Sequence, residues 1–221
     1  MIKDKFGKDL DGWVKTFAPF LFKKEVSPNL LTVIGTLVCI AAAVAFGQGA
    51  LLTGALLLWG GGLFDLVDGV VARHFKISSV FGAFLDSTLD RLVDMAVLIG
   101  LCIHFASSGD LVTAWVAGVA LSASILTSYT KARAESLDIE LNVGIIERGE
   151  RIILIVAGGV FGIMEIMLWL LAAGATATVV QRFTAARRSM EEIERAAREA
   201  AAAPTAEAEA EAERSGLAHG K

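Results

Sequence analysis

The sequence predicts an all-α integral membrane protein: six transmembrane helices preceded by an amphipathic interfacial helix. Three observations carry that expectation. The composition is 55% hydrophobic with a mean hydropathy of +0.62, above the roughly 45–50% apolar usage of soluble domains. Apolar stretches of membrane-crossing length recur along the 221 residues, separated by short polar or glycine-containing turns. The loops also alternate in charge: those at 47–50, 106–110 and 159–165 hold no Lys or Arg, whereas the N-terminus, Arg73/Lys76, Lys131 to Arg151 and Arg182 to Arg188 are rich in them. By the positive-inside rule both termini and the Arg73 end of the bundle face the cytoplasm.

Within residues 1–26, Phe6, Leu10, Trp13, Val14, Phe17, Phe20 and Leu21 recur at spacings of three and four with Lys and Asp between them. That pattern predicts a helix lying in the membrane interface, and its polar mixture is unlike a secretory signal. Ser27 and Pro28 suit the cap and first position of a helix, so the first span starts there and runs to about Phe46. Gly47-Gln48-Gly49 turns the chain into a second span ending near Arg73, and Lys76 to Ser79 introduce a third that continues past His104. Gly109-Asp110 opens a fourth over Leu111 to Ala134, a polar segment through Asn142 leads to a fifth starting within Glu147–Arg151, and a sixth covers about Ile163 to Arg182. Residues 27–188 thus form the membrane domain. Residues 189–221 read as a cytosolic helix that loses order beyond Pro204, where an Ala-Glu repeat has nothing to bury.

The acids of the second and third spans contradict their surroundings. Ala50 to Phe64 and Met95 to Phe105 carry no Asp, Glu, Lys or Arg, yet Asp65, Asp68, Asp86 and Asp90 lie between them. A mid-bilayer acid costs on the order of 2.5–3.5 kcal/mol on insertion scales, which opposes a merely decorative role. Asp65/Asp68 at i,i+3 and Asp86/Asp90 at i,i+4 each share a helix face, and two such faces opposed make an oxygen-rich site. Oxygen ligands without a nearby His or Cys suit Mg²⁺ or Mn²⁺ rather than zinc. Two ions about 3.5–4 Å apart would bridge a diphosphate and leave one carboxylate to take a proton from an attacking hydroxyl. Gly69 and Gly82, each near an acid, allow close backbone approach, and Arg73 is placed for a phosphate or nucleotide at the cytoplasmic mouth. Cys39 and Cys102 lie in separate apolar runs without metal spacing, and the net charge of −4 carries no nucleic-acid footprint.

Asp65-x2-Asp68-Gly69-x2-Ala72-Arg73-x8-Gly82-x3-Asp86-x3-Asp90 matches the signature of the CDP-alcohol phosphotransferase family without a departure. The resemblance implies an interfacial helix and six spans, a homodimer, a cytosolic active site and two divalent ions bridged by the CDP diphosphate. It further implies that an alcohol attacks the lipid-linked β-phosphate and that CMP leaves. By position, Asp65, Asp68 and Asp86 become metal ligands, Asp90 a ligand or the base, and Gly69 and Arg73 nucleotide neighbours. The run Pro28-Asn29-x-x-Thr32 also resembles the family's first span, with Thr32 against cytidine.

A second resemblance concerns the acceptor. Ser128-Tyr-Thr-Lys131-Ala-Arg133-Ala-Glu135, Ile146-Glu-Arg148-Gly-Glu-Arg151 and Gln181-Arg182 are similar to the branch that makes phosphatidylinositol phosphate or its archaeal ether-lipid counterpart. It implies CDP-diacylglycerol or CDP-archaeol as donor, inositol 1-phosphate as acceptor, and Ser128, Lys131, Arg151 and Arg182 as ligands of the acceptor phosphate. A dianion does call for several converging cations. Glu147 and Glu150 are placed to orient the guanidinia. Arg133, Arg148, Arg187 and Arg188 read as topology-setting loop charges, Asp94 as a partner of Arg91, His74 as a loop residue, His104 as a packed helix residue, and the four tryptophans as interface belt or core. A relative using glycerol 3-phosphate would need a similar basic pocket. A divalent-cation transporter could use the same acids, but would be expected to show broken helices and repeat symmetry.

Overall fold

The computed structural model describes residues 27–75, 77 and 79–202, without the side chains of Leu66, Ala72, Arg73 and Ala200 to Ala202. The expected interfacial helix of residues 1–26 and the tail beyond Ala202 lie outside the described residues. Six helices are present among them: α1 Pro28–Gly47, α2 Leu51–Phe75, α3 Val80–Ser107, α4 Leu111–Glu135, α5 Arg148–Phe161 and α6 Met164–Ala202. Among the described residues, four segments are long and apolar enough to cross a membrane: Pro28–Gly47, Leu51–Val71, Leu111–Glu135 and Met164–Glu199. α3 has the length but carries Asp86, Asp90, Arg91 and Asp94 between its start and its middle, and α5, with 14 residues, spans only about 21 Å at 1.5 Å per residue.

Local chemistry accounts for the helix ends. Pro28 occupies the first turn of α1 behind Ser27, whose carbonyl, not its hydroxyl, takes the first amides. Ser79 Oγ accepts from Gly82 N at 2.9 Å to start α3, and Asp110 Oδ1 accepts from Thr113 N at 3.0 Å to start α4. Hydrogen bonding from the Thr113 hydroxyl, together with that capping bond, holds the Asp110 carboxyl below the usual carboxylate range. Glu150 Oε2 accepts from Glu147 N at 3.0 Å, closing a capping box on α5. Gly162, at φ +69°, ends α5 in the left-handed conformation that glycine tolerates. α6 then runs unbroken through the expected end of the last span at Arg182 to Ala202.

The principal helix contacts close into a ring: α1 on α2, α2 on α5, α5 on α6, α6 on α4, α4 on α3, and α3 back on α1. Phe46, Leu58, Leu98, Leu101, Leu168 and Leu171 fill its interior. Small residues bring the backbones together. A Cβ on Gly100 would strike the carbonyl of Ala43, and one on Gly61 would strike Cys39 Sγ. The outer face is apolar, with Trp59, Trp115 and Trp169 pointing outward rather than into the core. On α6, Thr178 Oγ1 accepts from the amides of Ile145 and Ile146 at 3.1 and 3.0 Å, docking the segment before α5 beside Arg182.

Candidate active site

The acids of α2 and α3 meet beside Thr32 of α1, the helix on which both pack. One carboxylate oxygen each from Asp65, Asp68 and Asp86 lies within 4.8 Å of the others. Asp68 is buried and accepts a 2.6 Å hydrogen bond from Thr32 Oγ1, whose hydroxyl also faces the carbonyl of Pro28 at 3.0 Å. Three oxygens converging from two helices form a donor set that fits a hard divalent cation. The fourth acid is engaged differently: Asp90 Oδ1 lies 2.7 Å from Arg148 Nη1, which is also 2.7 Å from Asp65 Oδ2.

Two cavities, each of about 170 Å³, flank this set. Pro28, Asn29, Thr32, Gly69 and Gly82 line the first together with Asp68 and Asp86. Those are the expected donor-side residues, except for Arg73, whose side chain lies outside the described residues. Gly82 lies in close approach: a Cβ there would sit 3.0 Å from both Asn29 Oδ1 and Ser79 Oγ, and one of those side chains would have to shift.

Ser128, Lys131, Arg151 and Arg182 line the second cavity with Asp90, Asp94 and Arg148. The two arginines are buried, at 4% and 3% exposure, so each needs partners to offset the loss of water. Arg151 Nη2 donates to Asp94 Oδ2 at 2.7 Å. Arg182 donates to Val143 O at 2.9 Å, Thr127 O at 2.7 Å and Glu147 Oε1 at 3.2 Å. It therefore joins α6 to α4 and to the 136–147 segment that leads into α5, while keeping two of a guanidinium's five donors free of these bonds.

Several expectations are corrected here. Asp94 pairs with Arg151 and not with Arg91, whose guanidinium instead donates to the carbonyl of Ser87 on its own helix. The buried guanidinium has lost its water and has the stronger demand for a counter-charge. Glu147 orients Arg182, whereas Glu150 is used by the helix cap and orients neither arginine. Arg148 is no loop charge but the bridge between Asp65 and Asp90. A signal for it existed in the sequence, since Arg148 and Arg151 are i,i+3 and share a face of α5. His74 belongs to the last turn of α2 with its ring edge on Phe75, not to a loop, while His104 packs at the end of α3 against Phe105 as expected.

Residues 25–188 match the sequence profile of a family described as CDP-alcohol phosphatidyltransferase. The archaetidylinositol phosphate synthase of Methanothermobacter thermautotrophicus is 42% identical over 170 residues, covering 74% of this chain and 85% of that protein. The phosphatidylinositol phosphate synthase of Streptomyces avermitilis is 37% identical over 195 residues, covering 81% and 80%. The crystal structure of Mycobacterium tuberculosis phosphatidylinositol phosphate synthase with CDP-DAG bound superposes with a TM-score of 0.72 at 34% identity, covering 78% of this chain and 92% of that one. The same protein in complex with manganese and citrate also gives 0.72 at 34% identity, covering 78% and 88%. With its acids gathered on two helices and both sequence and fold matched over most of its length, the chain belongs to the CDP-alcohol phosphatidyltransferase family.

Proposed function

We propose that the protein transfers the lipid phosphate group of a CDP-lipid such as CDP-diacylglycerol to inositol 1-phosphate, releasing CMP. One observation carries this reading: the acids of a single signature wall two cavities of different character. Asp68 and Asp86 border the cavity of Pro28, Asn29, Thr32, Gly69 and Gly82, and Asp90 borders the cavity of Ser128, Lys131, Arg151 and Arg182. The first suits the nucleotide end of the donor. The second offers several cations to a dianionic phosphate.

Asp65, Asp68 and Asp86 would hold a divalent cation, Mg²⁺ or Mn²⁺. Such an ion supplies neutralisation of the diphosphate and of the charge that develops on departing CMP. Thr32 fixes the rotamer of Asp68 through its 2.6 Å hydrogen bond. Asp90, shared between the acid set and the acceptor cavity, accepts the proton of the inositol hydroxyl. The hydroxyl oxygen forms a bond to the β-phosphorus, the bond from that phosphorus to the oxygen of CMP breaks, and the phosphodiester lipid remains. Lys131, Arg151 and Arg182 hold the acceptor's own phosphate away from the reacting atom.

The same reading places residues 27–188 as a six-span catalytic domain of a homodimer in the cell membrane, with residues 1–26 in the interface and 189–221 in the cytosol. The basic loops at the acid-bearing end support an active site and both termini on the cytoplasmic side. The deciding experiment follows CMP release from CDP-diacylglycerol and CDP-archaeol by the purified full chain. Inositol 1-phosphate, inositol, glycerol 3-phosphate and serine serve as competing acceptors. Inositol 1-phosphate should be preferred; preference for unphosphorylated inositol or for glycerol 3-phosphate would overturn the acceptor assignment.

A further inference from the structure

The guanidinium of Arg148 touches both halves of the site. Its Nη1 lies 2.7 Å from Asp65 Oδ2 and 2.7 Å from Asp90 Oδ1, while the side chain also lines the cavity of Lys131, Arg151 and Arg182. Its Nε–H is buried without an acceptor among the described residues, and so is that of Arg151, one turn away on the same face of α5. A buried N–H without an acceptor is unfavourable. Phosphate oxygens are the acceptors that match a guanidinium in charge and in geometry.

Asp65 belongs both to this ion pair and to the oxygen cluster that fits a divalent cation. A guanidinium and a divalent ion on one carboxylate repel each other and compete for its lone pairs. We propose that Arg148 is the exchangeable counter-cation of the acid set: a divalent ion displaces it from Asp65, and it then becomes a further ligand of the acceptor's phosphate. This rests on the function proposed above. It makes metal binding and acceptor binding mutually favourable, because each removes Arg148 from the place the other needs it to leave.

The test is a Mn²⁺ titration of the full chain in detergent, with and without inositol 1-phosphate, followed by acceptor kinetics. In the parent, saturating inositol 1-phosphate should tighten Mn²⁺ binding about tenfold, and Mn²⁺ should tighten acceptor binding by the same factor. This arm needs no variant. Arg148→Gln should bind Mn²⁺ about tenfold more tightly without acceptor, show little remaining coupling, and raise the KM for inositol 1-phosphate about tenfold at saturating Mn²⁺. The opposite signs matter, since general damage to the site would weaken both. Uncoupled binding in the parent, or unchanged or weaker Mn²⁺ binding by Arg148→Gln, would overturn the proposal. A parent that binds no Mn²⁺ at all would remove the metal reading itself, and this inference with it.

Discussion

Arg151 donates to Asp94 at 2.7 Å, and the two side chains are only 5% and 12% exposed. One turn along, Arg148 and Asp90 repeat the contact at 2.7 Å. The two pairs form rungs of a ladder between α5 and α3, helices that are not neighbours in the ring of principal contacts. Charge, rather than close packing, thus ties the acid-bearing helix to the helix that bears Arg148 and Arg151.

Asp94→Asn should leave Arg151 without its counter-charge and free to turn away from the cavity. The KM for inositol 1-phosphate is expected to rise about tenfold. Mn²⁺ affinity and the KM for CDP-lipid should stay within twofold, about the scatter of such assays. An equal loss on both substrates would mean that the pair is only structural.

Arg151→Ala removes a direct phosphate ligand in this reading. Hydrogen bonds to charged groups contribute about 1.5–3 kcal/mol each, so the KM for inositol 1-phosphate should rise about ten- to a hundredfold. Free inositol should be a poor acceptor for the parent and no worse for the variant. Arg182→Ala should show the same kinetic loss together with a lower thermal midpoint, because Arg182 also joins Val143, Thr127 and Glu147.

Asp90→Asn keeps the shape of the side chain but cannot take the acceptor's proton. Transfer should be abolished while the folded protein still binds CDP-lipid with metal. Turnover within tenfold of the parent would take the base role away from Asp90.

Asp68→Asn should weaken Mn²⁺ binding, with part of the lost activity restored by raising the metal concentration. Thr32→Val tests the support beneath it, since the valine matches the shape of threonine and deletes the 2.6 Å donor to Asp68. Loss of such a supporting hydrogen bond typically costs about 10–100-fold in metal affinity. Unaltered Mn²⁺ titrations for both variants would exclude Asp68 as a ligand.

Gly100→Val addresses the ring itself. A Cβ at Gly100 collides with the backbone carbonyl of Ala43, which has no rotamer with which to move aside. Overpacking of this kind costs about 1–3 kcal/mol. A lower thermal midpoint in detergent is expected, and an unchanged one would mean that α1 and α3 can separate without loss.

The helix positions and the pairing of the acids were legible in the amino-acid order because they depend on short-range quantities. Hydropathy over a membrane-length window, a glycine or proline at a turn, and acids at i,i+3 or i,i+4 are properties of a single helix. The signature from Asp65 to Asp90 lies on consecutive helices that both pack on α1, so its acids are brought together by adjoining stretches of the chain. The partners of the buried arginines depend on which helices meet, and apolar faces do not declare their partners: every one is equally content against lipid. Only the tertiary ring brings Arg148 to Asp65 across 83 positions and Arg182 to Thr127 across 55. Arg133 and Arg148 therefore read alike as loop charges, although Arg133 reaches no further than Ser136 at the end of its own helix. What separates them is burial, because a guanidinium withdrawn from water must find carboxylates or carbonyls, and the fold alone decides which of these are within reach.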